Sequence, residues 1–506
     1  MSEKDQQLQQ ETINDAVWAA CDAFRGVVDP SIYKDYTLTM LFLKYLSDVW
    51  KDQYKKYEEE YGDAPELINE MMSSERFVLP ENSSFYYLHD NRNLPGNGER
   101  IDKALHAIED ANINKLRGVF QDISFNSNKL GDEKQKNDIL RHVLEDFARP
   151  DLDLSPSRVG NLDVIGNAYE FLIKNFAASA GKKAGEFYTP PEVSELIAEL
   201  VDPQEGDAIG DPACGSASLL MKVGRKIREH YGSKRYALHG QEAIGSTWAL
   251  AKMNLFLHGE DNHRIEWGDT IRNPKLLNKD ETLTLYNVVV ANPPFSLDKW
   301  GYDDASEDKW GRFRRGVPPK TKGDYAFILH MIETMNPKDG RVGVVVPHGV
   351  LFRGASEGKI RQKLIEENLL DAVIGLPEKL FYGTGIPAAI LIFKRQKTDK
   401  NVLFIDASRD FHDGKNQNFL RHEDIKRVAE TYRTRTKVDK YAYLASFDEV
   451  KENNFNLNIP RYVDTFEEEE EIDLITVRKE RDKLKMELAS LEAEMEIHLK
   501  ELGYDS

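Results

Sequence analysis

The stretch that decides the fold, N-V-V-V-A-N-P-P-F-S-L-D-K-W, occupies residues 287–300. Its run from Val288 to Ala291 is short, β-branched and uncharged, which predicts a strand buried on both faces. Pro293 and Pro294 end that strand, because proline lacks a ladder donor and fixes its own backbone angle. Taken alone, the motif is as consistent with a simple strand terminator as with a functional site, so its context must decide.

That context is an alternation of short apolar segments and helical ones, which begins at about residue 160. It predicts an α/β fold, with a Rossmann-like parallel sheet covered by helices on both sides. The predicted strands are Asp207–Gly210, Tyr236–Gln241, His263–Trp267, Tyr286–Ala291, Arg341–Pro347, Leu370–Leu376 and Ala388–Phe393.

Residues 12 to about 150 carry helical spacing instead. The best segment runs from Ile32 to Trp50 and places four apolar residues on one face, namely Tyr36, Met40, Leu43 and Leu46. The segment R-P-D-L-D-L-S-P-S at 150–158 is a plausible boundary. We therefore expect an N-terminal all-α domain over residues 1–155 and a catalytic domain over residues 156–465.

The last segment, residues 466–506, combines a glutamate run with a charged helix. Steps of three and four residues select a coiled-coil stripe in which seven of nine positions are apolar: Leu474, Val477, Arg481, Leu484, Leu488, Leu491, Met495, His498 and Leu502. A helix folded back on its own domain is the alternative. Because the stripe is narrow and the rest is polar, we favour a helix that binds a partner helix.

The composition of the chain excludes several classes of protein. The net charge of −19 argues against a protein that coats a polyanion with its whole surface. One basic segment, residues 309–322, carries six cations around Trp310 and Phe313, and is either a solvated loop or a phosphate contact. The two cysteines, Cys21 and Cys214, exclude a disulfide framework and a four-cysteine zinc site, and no metal is expected. A polar N-terminus without a long apolar run predicts a cytoplasmic protein with no membrane partner.

The first strand leads into D-P-A-C-G-S-A-S-L-L, residues 211–220. A tight turn at Gly215 with small neighbours lets the backbone approach a ligand closely, as in nucleotide-binding α/β folds. The acid Asp211 disfavours a pyrophosphate and favours a cationic ligand, and S-adenosylmethionine carries both an ammonium and a sulfonium. The next two strands end at Glu242, placed for ribose hydroxyls, and at Asp269, placed for the adenine edge; either acid alone is also a common helix cap.

In a sheet ordered 3-2-1-4-5, strands one and four are neighbours where the ligand crevice opens. Asn292 would then lie beside the sulfonium methyl. Its side-chain oxygen and the Pro293 carbonyl can accept both hydrogens of an exocyclic amine, and Phe295 offers a face for a flat base. In duplex DNA such a base must first be flipped out of the stack.

A further segment, G-E-F-Y-T-P-P-E-V, spans residues 185–193. Its Thr189, Pro190 and Glu192 predict a capping box with proline at the first helical position. Capping does not explain Phe187 and Tyr188, which we expect to be exposed and able to cover the cofactor.

Together, E-F-Y-T-P-P, D-P-A-C-G-S-A-S and N-P-P-F resemble the motifs of amino methyltransferases of DNA, in the chain order of the γ group. The similarity is closer still to the modification subunit of type I restriction-modification systems. It extends to A-C-D-A-F-R-G-V-V-D-P-S near the N-terminus, G-D-Y-A-F at 323–327, G-R-V-G-V-V-V-P-H-G-V-L-F at 340–352 and L-P-E-K-L-F-Y-G-T-G-I-P-A-A-I at 376–390.

The resemblance implies methyl transfer from S-adenosylmethionine to adenine N6 of double-stranded DNA. The cofactor-binding residues it implies, together with the acids above, are Glu186, Phe187, Tyr188, Thr189, Pro190, Pro191, Asp211, Gly215, Ser216, Ala217, Ser218, Glu242 and Asp269, and the catalytic ones are Asn292, Pro293, Pro294 and Phe295. It also implies a separate specificity subunit, two copies of this chain per specificity subunit, and a restriction motor-nuclease subunit. An enzyme that methylates RNA or a protein glutamine is the alternative, because N-P-P-(F/Y) serves those reactions too.

Overall fold

The computed structural model describes residues 3–24, 30–62, 64–159, 162–179, 188–381, 385–414, 417–465 and 474–502. The chain divides into two units, Met1–Val463 and Asp464–Ser506. In the larger unit, nine strands form one sheet in the order β3-β2-β1-β4-β5-β7-β6-β8-β9. The predicted order 3-2-1-4-5 is therefore confirmed, and the α/β fold class with it.

Strand bounds agree with the predicted ones to within two residues for β1 to β7. The strands are β1 Ala208–Asp211, β2 Ala237–Glu242, β3 His263–Trp267, β4 Val288–Ala291, β5 Arg341–Pro347, β6 Leu370–Gly375, β7 Ala388–Lys394, β8 Val402–Asp406 and β9 Ala442–Ala445. The sheet is mixed, because β7 runs antiparallel to β5 and β6, and β9 antiparallel to β8. The sequence analysis missed β8 and β9, which extend the sheet at one edge.

Eighteen α-helices are present in the described part of the chain. They are α1 Glu3–Ala19, α2 Pro30–Tyr61, α3 Pro65–Ser73, α4 Phe85–Asp90, α5 Asn97–Ala111, α6 Ile113–Leu116, α7 Glu133–Phe147, α8 Pro156–Val159, α9 Leu162–Ser179, α10 Pro191–Val201, α11 Ser218–Tyr231, α12 Gly245–Leu257, α13 Asp324–Thr334, α14 Gly349–Phe352, α15 Ala355–Glu366, α16 His422–Thr434, α17 Phe447–Glu452 and α18 Leu474–Glu501. None of them is both long and apolar enough to cross a membrane.

The N-terminal region is helical, as predicted, and α2 is its central element. Tyr36, Met40, Leu43 and Leu46 are all buried, and most of the positions between them are buried as well. The sequence predicted one apolar face, but α2 is buried on all sides over this stretch, because α3, α4, α7 and α9 pack around it.

The helical region continues into the core of the sheet region. The Phe42 ring of α2 contacts the Phe256 ring of α12 edge-on, with centroids 5.5 Å apart. Arg76 donates to the Phe256 carbonyl at 2.8 Å and forms an ion pair with Asp261 at 2.9 Å. Aromatic burial of this kind contributes to stability in proportion to the area removed from water, so both regions draw on a shared core.

The second unit consists, in its described part, of the helix α18. It carries large apolar side chains that are 40–72 % exposed, namely Ile475, Val477, Leu484, Met486, Leu488, Leu491, Met495, Ile497, Leu499 and Leu502. Isolated exposed leucines are ordinary, but a row of them on one helix marks an interaction surface. The predicted C-terminal helix is therefore present, and the apolar residues of its stripe from Val477 to Leu502 are exposed.

Candidate active site

The carboxyl ends of β1, β2 and β4 meet at one edge of the sheet, because these three strands are parallel neighbours. After β1, the backbone turns sharply into α11, with Gly215 and Ala217 both in the left-handed region at φ of 55° and 63°. The turn packs closely against β2: a Cβ on Gly240 would lie 2.8 Å from the Cys214 sulfur. Position 240 therefore requires glycine, and the positive φ of Gly215 is a conformation that glycine adopts without strain.

Two buried carboxylates line this turn. Asp211 accepts a hydrogen bond from the Ala213 N–H at 2.9 Å, and Glu242 accepts from the N–H groups of Gly215 at 3.0 Å and Ile244 at 2.8 Å. No described lysine or arginine forms an ion pair with either acid. Burial raises the pKa of Asp211 to about 8, and the nearby Glu242 charge adds to that increase. Burial also raises the pKa of Glu242.

Asn292 follows β4 directly and reaches across to the segment before α10. Its side-chain N–H donates to the Thr189 hydroxyl at 3.2 Å. Its Oδ1 atom is buried and has no hydrogen-bond partner among the described residues. A buried acceptor without a partner is costly, so an oxygen in this position is suited to a donor supplied by a ligand.

The predicted capping box at α10 is wrong. The helix begins at Pro191, Pro190 is its N-cap residue, and no side chain caps it. The Thr189 hydroxyl instead accepts from Asn292, and Glu192 leaves its Oε1 without a partner in the described structure. Proline at the first helical position removes one of the unpaired N–H groups of the first turn, and the Val193 N–H donates to the Pro190 carbonyl at 3.0 Å.

The expectation of an exposed aromatic pair is also wrong for one of its members. Tyr188 is buried, with 4 % of its surface exposed. Phe187 and the predicted site residue Glu186 lie outside the described residues.

The structure brings the two halves of the predicted site into one pocket. Asn292 and the glycine turn face each other across it, and its lining consists of Tyr188, Thr189, Asp211, Ala213, Cys214, Gly215, Ser216, Ser218, Leu219 and Asn292. The pocket thus combines an acid at the end of β1 with an amide at the end of β4. Ala213, Cys214 and Leu219 were not predicted as site residues, although they lie inside the segment 211–220 that was predicted to bind the ligand.

The remaining predicted residues lie around this pocket. Ala217 is fully buried as the N-cap of α11. Pro190 is buried, and Pro191 starts the helix that follows. The Phe295 ring is partly exposed and contacts the Phe381 ring edge-on, with centroids 5.6 Å apart. Pro293 is buried, and Pro294 is half-buried.

Asp269 is the predicted site residue that is most engaged elsewhere. Its carboxylate accepts from the N–H groups of Ile271 and Arg272 and forms an ion pair with the Arg272 side chain at 3.2 Å. It does not line the pocket described above. Its contacts are those of a cap on its own turn, the alternative that the sequence left open.

The basic segment at 309–322 is not a free basic surface. Five of its six cations form ion pairs with carboxylates: Lys309, Arg312, Arg314, Arg315 and Lys320. Arg312 and Arg315 are buried, at 2 % exposure each. The Trp310 indole N–H donates to a backbone carbonyl, and Phe313 is buried. The segment is largely structural, so the suggested phosphate contact is not supported.

Two polar residues that support the pocket were missed. Asn254 of α12 is fully buried and donates to the Ser216 carbonyl at 2.9 Å. Asp324, at the start of α13, accepts from the Ser296 N–H at 2.8 Å, directly after Phe295. The sequence signal for Asp324 was its place in G-D-Y-A-F, but nothing local indicates where its carboxylate points.

Comparison with known proteins assigns this architecture to a family. The N-6 DNA Methylase family model matches residues 160–471, and the HsdM N-terminal domain model matches residues 13–147. The type I restriction enzyme MjaVIII methylase subunit of Methanocaldococcus jannaschii is 33 % identical over 470 residues, which cover 89 % of this chain and 78 % of that protein. The HindI methylase subunit of Haemophilus influenzae is 31 % identical over 429 residues, covering 81 % of this chain and 94 % of the relative.

A solved structure shows the same fold over most of the chain. The crystal structure of the type I restriction-modification methyltransferase subunit from Streptococcus thermophilus superposes with a TM-score of 0.80 at 34 % identity, covering 90 % of this chain and 100 % of that one. The family model favours a DNA adenine substrate over the alternative of RNA or protein glutamine. The chain belongs to the N-6 DNA methylase family and is a methylase subunit of the type I restriction enzymes, an adenine-specific DNA methyltransferase.

Proposed function

We propose that the pocket between Asp211 and Asn292 binds S-adenosylmethionine, and that Asn292 presents adenine N6 to its methyl group. The charges fit this cofactor, because Asp211 and Glu242 are buried without described cationic partners and the cofactor carries an ammonium and a sulfonium. When bound, S-adenosylmethionine supplies the methyl group on its sulfonium sulfur. The glycine turn lets the backbone approach the cofactor, and Glu242 is placed to accept from ribose hydroxyls.

The observation that carries the proposal is the unpartnered Oδ1 of Asn292. Thr189 accepts from the amide nitrogen of Asn292, which leaves Oδ1 to accept one N–H of the adenine amine. With both amine hydrogens held by Asn292 and the Pro293 carbonyl, the nitrogen lone pair points toward the methyl group. Phe295 supports the base, which is flipped out of the duplex because its amine is unreachable inside the stack.

Substitution of Asn292 by alanine tests this assignment. The variant should fold and bind S-adenosylmethionine but lose methyl transfer, since it removes the acceptor for the amine and one hydrogen bond to Thr189 and leaves Asp211 and Glu242 in place. The assay uses labelled S-adenosylmethionine and genomic DNA, with the neighbouring operon products present, followed by identification of the modified base. Asn278→Ala, in a surface turn where Asn278 donates to Thr282, is the matched control. Wild-type turnover in Asn292→Ala would refute the role.

The exposed apolar stripe of α18 supports a second part of the proposal. Residues 466–506 form an assembly segment that binds the specificity subunit, which recognises the DNA sequence for the complex. Two copies of this chain per specificity subunit, joined by a restriction subunit for cleavage, complete the assembly. Val477, Leu484 and Leu488 of the stripe line a groove along the helix, together with the charged side chains of Glu480, Arg481 and Lys485.

Charge substitutions on that stripe test the assembly role. Replacing Leu484, Leu488 and Leu491 together by glutamate should abolish copurification with the specificity subunit, because each charge would be buried at a helix interface. The control triple variant replaces the exposed charged residues Lys483, Glu487 and Glu494 by alanine and should still copurify. Copurification of the glutamate variant at the wild-type level would contradict the assignment.

A further inference from the structure

The turn that follows Phe295 is held by a buried carboxylate. Asp324 accepts from the Ser296 N–H at 2.8 Å, and the neighbouring Gly323 N–H donates to the Leu297 carbonyl at 2.9 Å. Ser296 lies in the left-handed region, at φ of 53°. That conformation costs a non-glycine residue about 1 kcal/mol or more, so external contacts must maintain it.

Asp324 is in turn held by a guanidinium. Arg353, which lies between α14 and α15, donates from Nη2 to the second oxygen of Asp324 at 2.7 Å. The Arg353 Nε atom is 3.0 Å from Oε2 of Glu357, one turn along α15. Asp324 and Glu357 are 3 % and 2 % exposed, whereas the Arg353 side chain between them is 23 % exposed. The three charges therefore form a largely buried chain that leads from α15 to the turn after Phe295.

The fold does not depend on this chain to attach α15. Arg361, from the same helix, already donates to the backbone carbonyls of Phe455, Val350 and Arg353. Two carboxylates share one guanidinium in the Asp324 chain, and neither Nε of Arg353 nor Oε1 of Glu357 has a described hydrogen-bond partner, so Arg353 and Glu357 form an ion pair without a hydrogen bond. Buried ion pairs of this kind usually add little net stability, because the cost of desolvating the charges offsets their attraction. A recognised role of such groups is to fix one conformation.

We propose that Asp324, Arg353 and Glu357 are positioning residues that set the turn after Phe295 and thereby aim Asn292 and the Phe295 ring at the acceptor base. This inference rests on the function proposed above. It gives a part in the reaction to three residues that do not line the cofactor pocket.

Kinetics of the chain assembled with its specificity subunit test the proposal. Asp324→Asn keeps the shape of the side chain but places an amide N–H₂ or a neutral oxygen against Arg353. We expect kcat to fall about 100-fold, the cost of misplacing a reacting group by about 1 Å, while the Kd for S-adenosylmethionine stays unchanged. Arg353→Ala should behave alike, and Arg353→Lys should recover part of the rate. Glu366→Gln, at an exposed carboxylate of α15, is the control.

A pH profile separates positioning from a merely structural role. Burial raises the pKa of Glu357 to about 7, against the opposing charges of Arg353, Arg361 and Lys322 and with the Asp324 charge in its favour. At saturating cofactor, the wild-type kcat should therefore fall below about pH 7 as Glu357 binds a proton, since the neutral acid holds Arg353 less firmly. Glu357→Gln should show a lower kcat that is flat over this range.

The outcomes are distinguishable from failure of the proposed function. Wild-type kcat in Asp324→Asn, or losses of kcat, cofactor affinity and melting temperature by the same proportion, would overturn the positioning role. Full activity of Asn292→Ala would instead overturn the proposed function. An inactive Asn292→Ala beside a fully active Asp324→Asn would remove only the present inference.

Discussion

Two groups of buried charges in this protein are built in opposite ways. The arginines of the segment 309–322 are closed off, since Arg312 is paired with Asp308 and Arg315 with both Glu333 and Glu367. Of the two acids at the glycine turn, Asp211 lines the pocket and Glu242 holds Gly215 beside it, and both have only backbone N–H groups as described partners. In a chain with a net charge of −19, the buried arginines of the segment 309–322 thus have carboxylate partners, whereas these two buried acids have no described cationic partner.

The difference identifies which buried charges belong to a ligand site. In an ion pair, the attraction of the partner offsets the desolvation cost of a buried charge. A buried acid that has only backbone donors keeps a raised pKa, which a bound cation would lower. The sequence predicted a possible ligand contact for both groups. Their ion pairing distinguishes them, because only the two acids have no described cationic partner. The following substitutions are chosen to break or sharpen that separation.

The largest effect is expected at a paired cation. Arg315→Ala leaves Glu333 and Glu367 without their shared partner, so the free energy of unfolding should fall by about 3 kcal/mol, the lower end for a broken buried pair because Glu367 is partly exposed. Denaturant unfolding measures this. The adjacent Arg314 is half exposed, and Arg314→Ala should cost less than about 1 kcal/mol. Equal losses in the two variants would contradict the distinction.

The next effect concerns an open acid. Asp211→Asn keeps the acceptor for the Ala213 N–H but removes the charge, so the affinity for S-adenosylmethionine should fall about 10- to 100-fold. Isothermal titration calorimetry gives the Kd, with Asp280→Asn in an exposed turn as the control. Folding stability should hold or improve, because a buried unpaired acid is removed. An unchanged Kd would show that Asp211 does not face the cationic part of the cofactor.

The smallest effect is a pH dependence of that same affinity. The free pocket has an Asp211 pKa of about 8, and a bound cation favours the ionised acid and lowers that pKa. Affinity should therefore rise with pH between about 5.5 and 7, by at most tenfold per pH unit, and binding should release protons. Over this range the cofactor ammonium stays protonated. In Asp211→Asn, the pH dependence of the Kd that arises from Asp211 should disappear. A wild-type Kd that does not change with pH would contradict the coupling between cofactor binding and ionisation of Asp211.

Much of the fold could be predicted, because apolar periodicity reports burial directly. The seven predicted strands rest on that signal, whereas the order 3-2-1-4-5 comes from the usual arrangement of doubly wound sheets. The antiparallel direction of β7 could not be read from it, since direction depends on how the connections cross. The edge strand β9 has only four residues, and two of them are half-buried, which leaves little pattern to detect.

The site was predictable where the backbone itself forms it. Gly215 and Asn292 follow strands, and strand order alone brings them together. The roles of Thr189 and of the 309–322 cations were not predictable, because each depends on a side chain from a distant part of the chain. A threonine followed by proline and an acid fits a capping box locally, yet its hydroxyl accepts from a residue 103 positions away.

The contact between Phe42 and Phe256 has a consequence for how the chain can be divided. The helical region and the sheet region bury their aromatic side chains against each other, so a fragment ending near residue 155 would expose the partners of α12 to water. Exchange of the N-terminal helical region between relatives would likewise disrupt this aromatic contact, unless the residues of α12 that pack against that region were exchanged with it. Modularity in this protein therefore begins after Val463, where the compact unit ends.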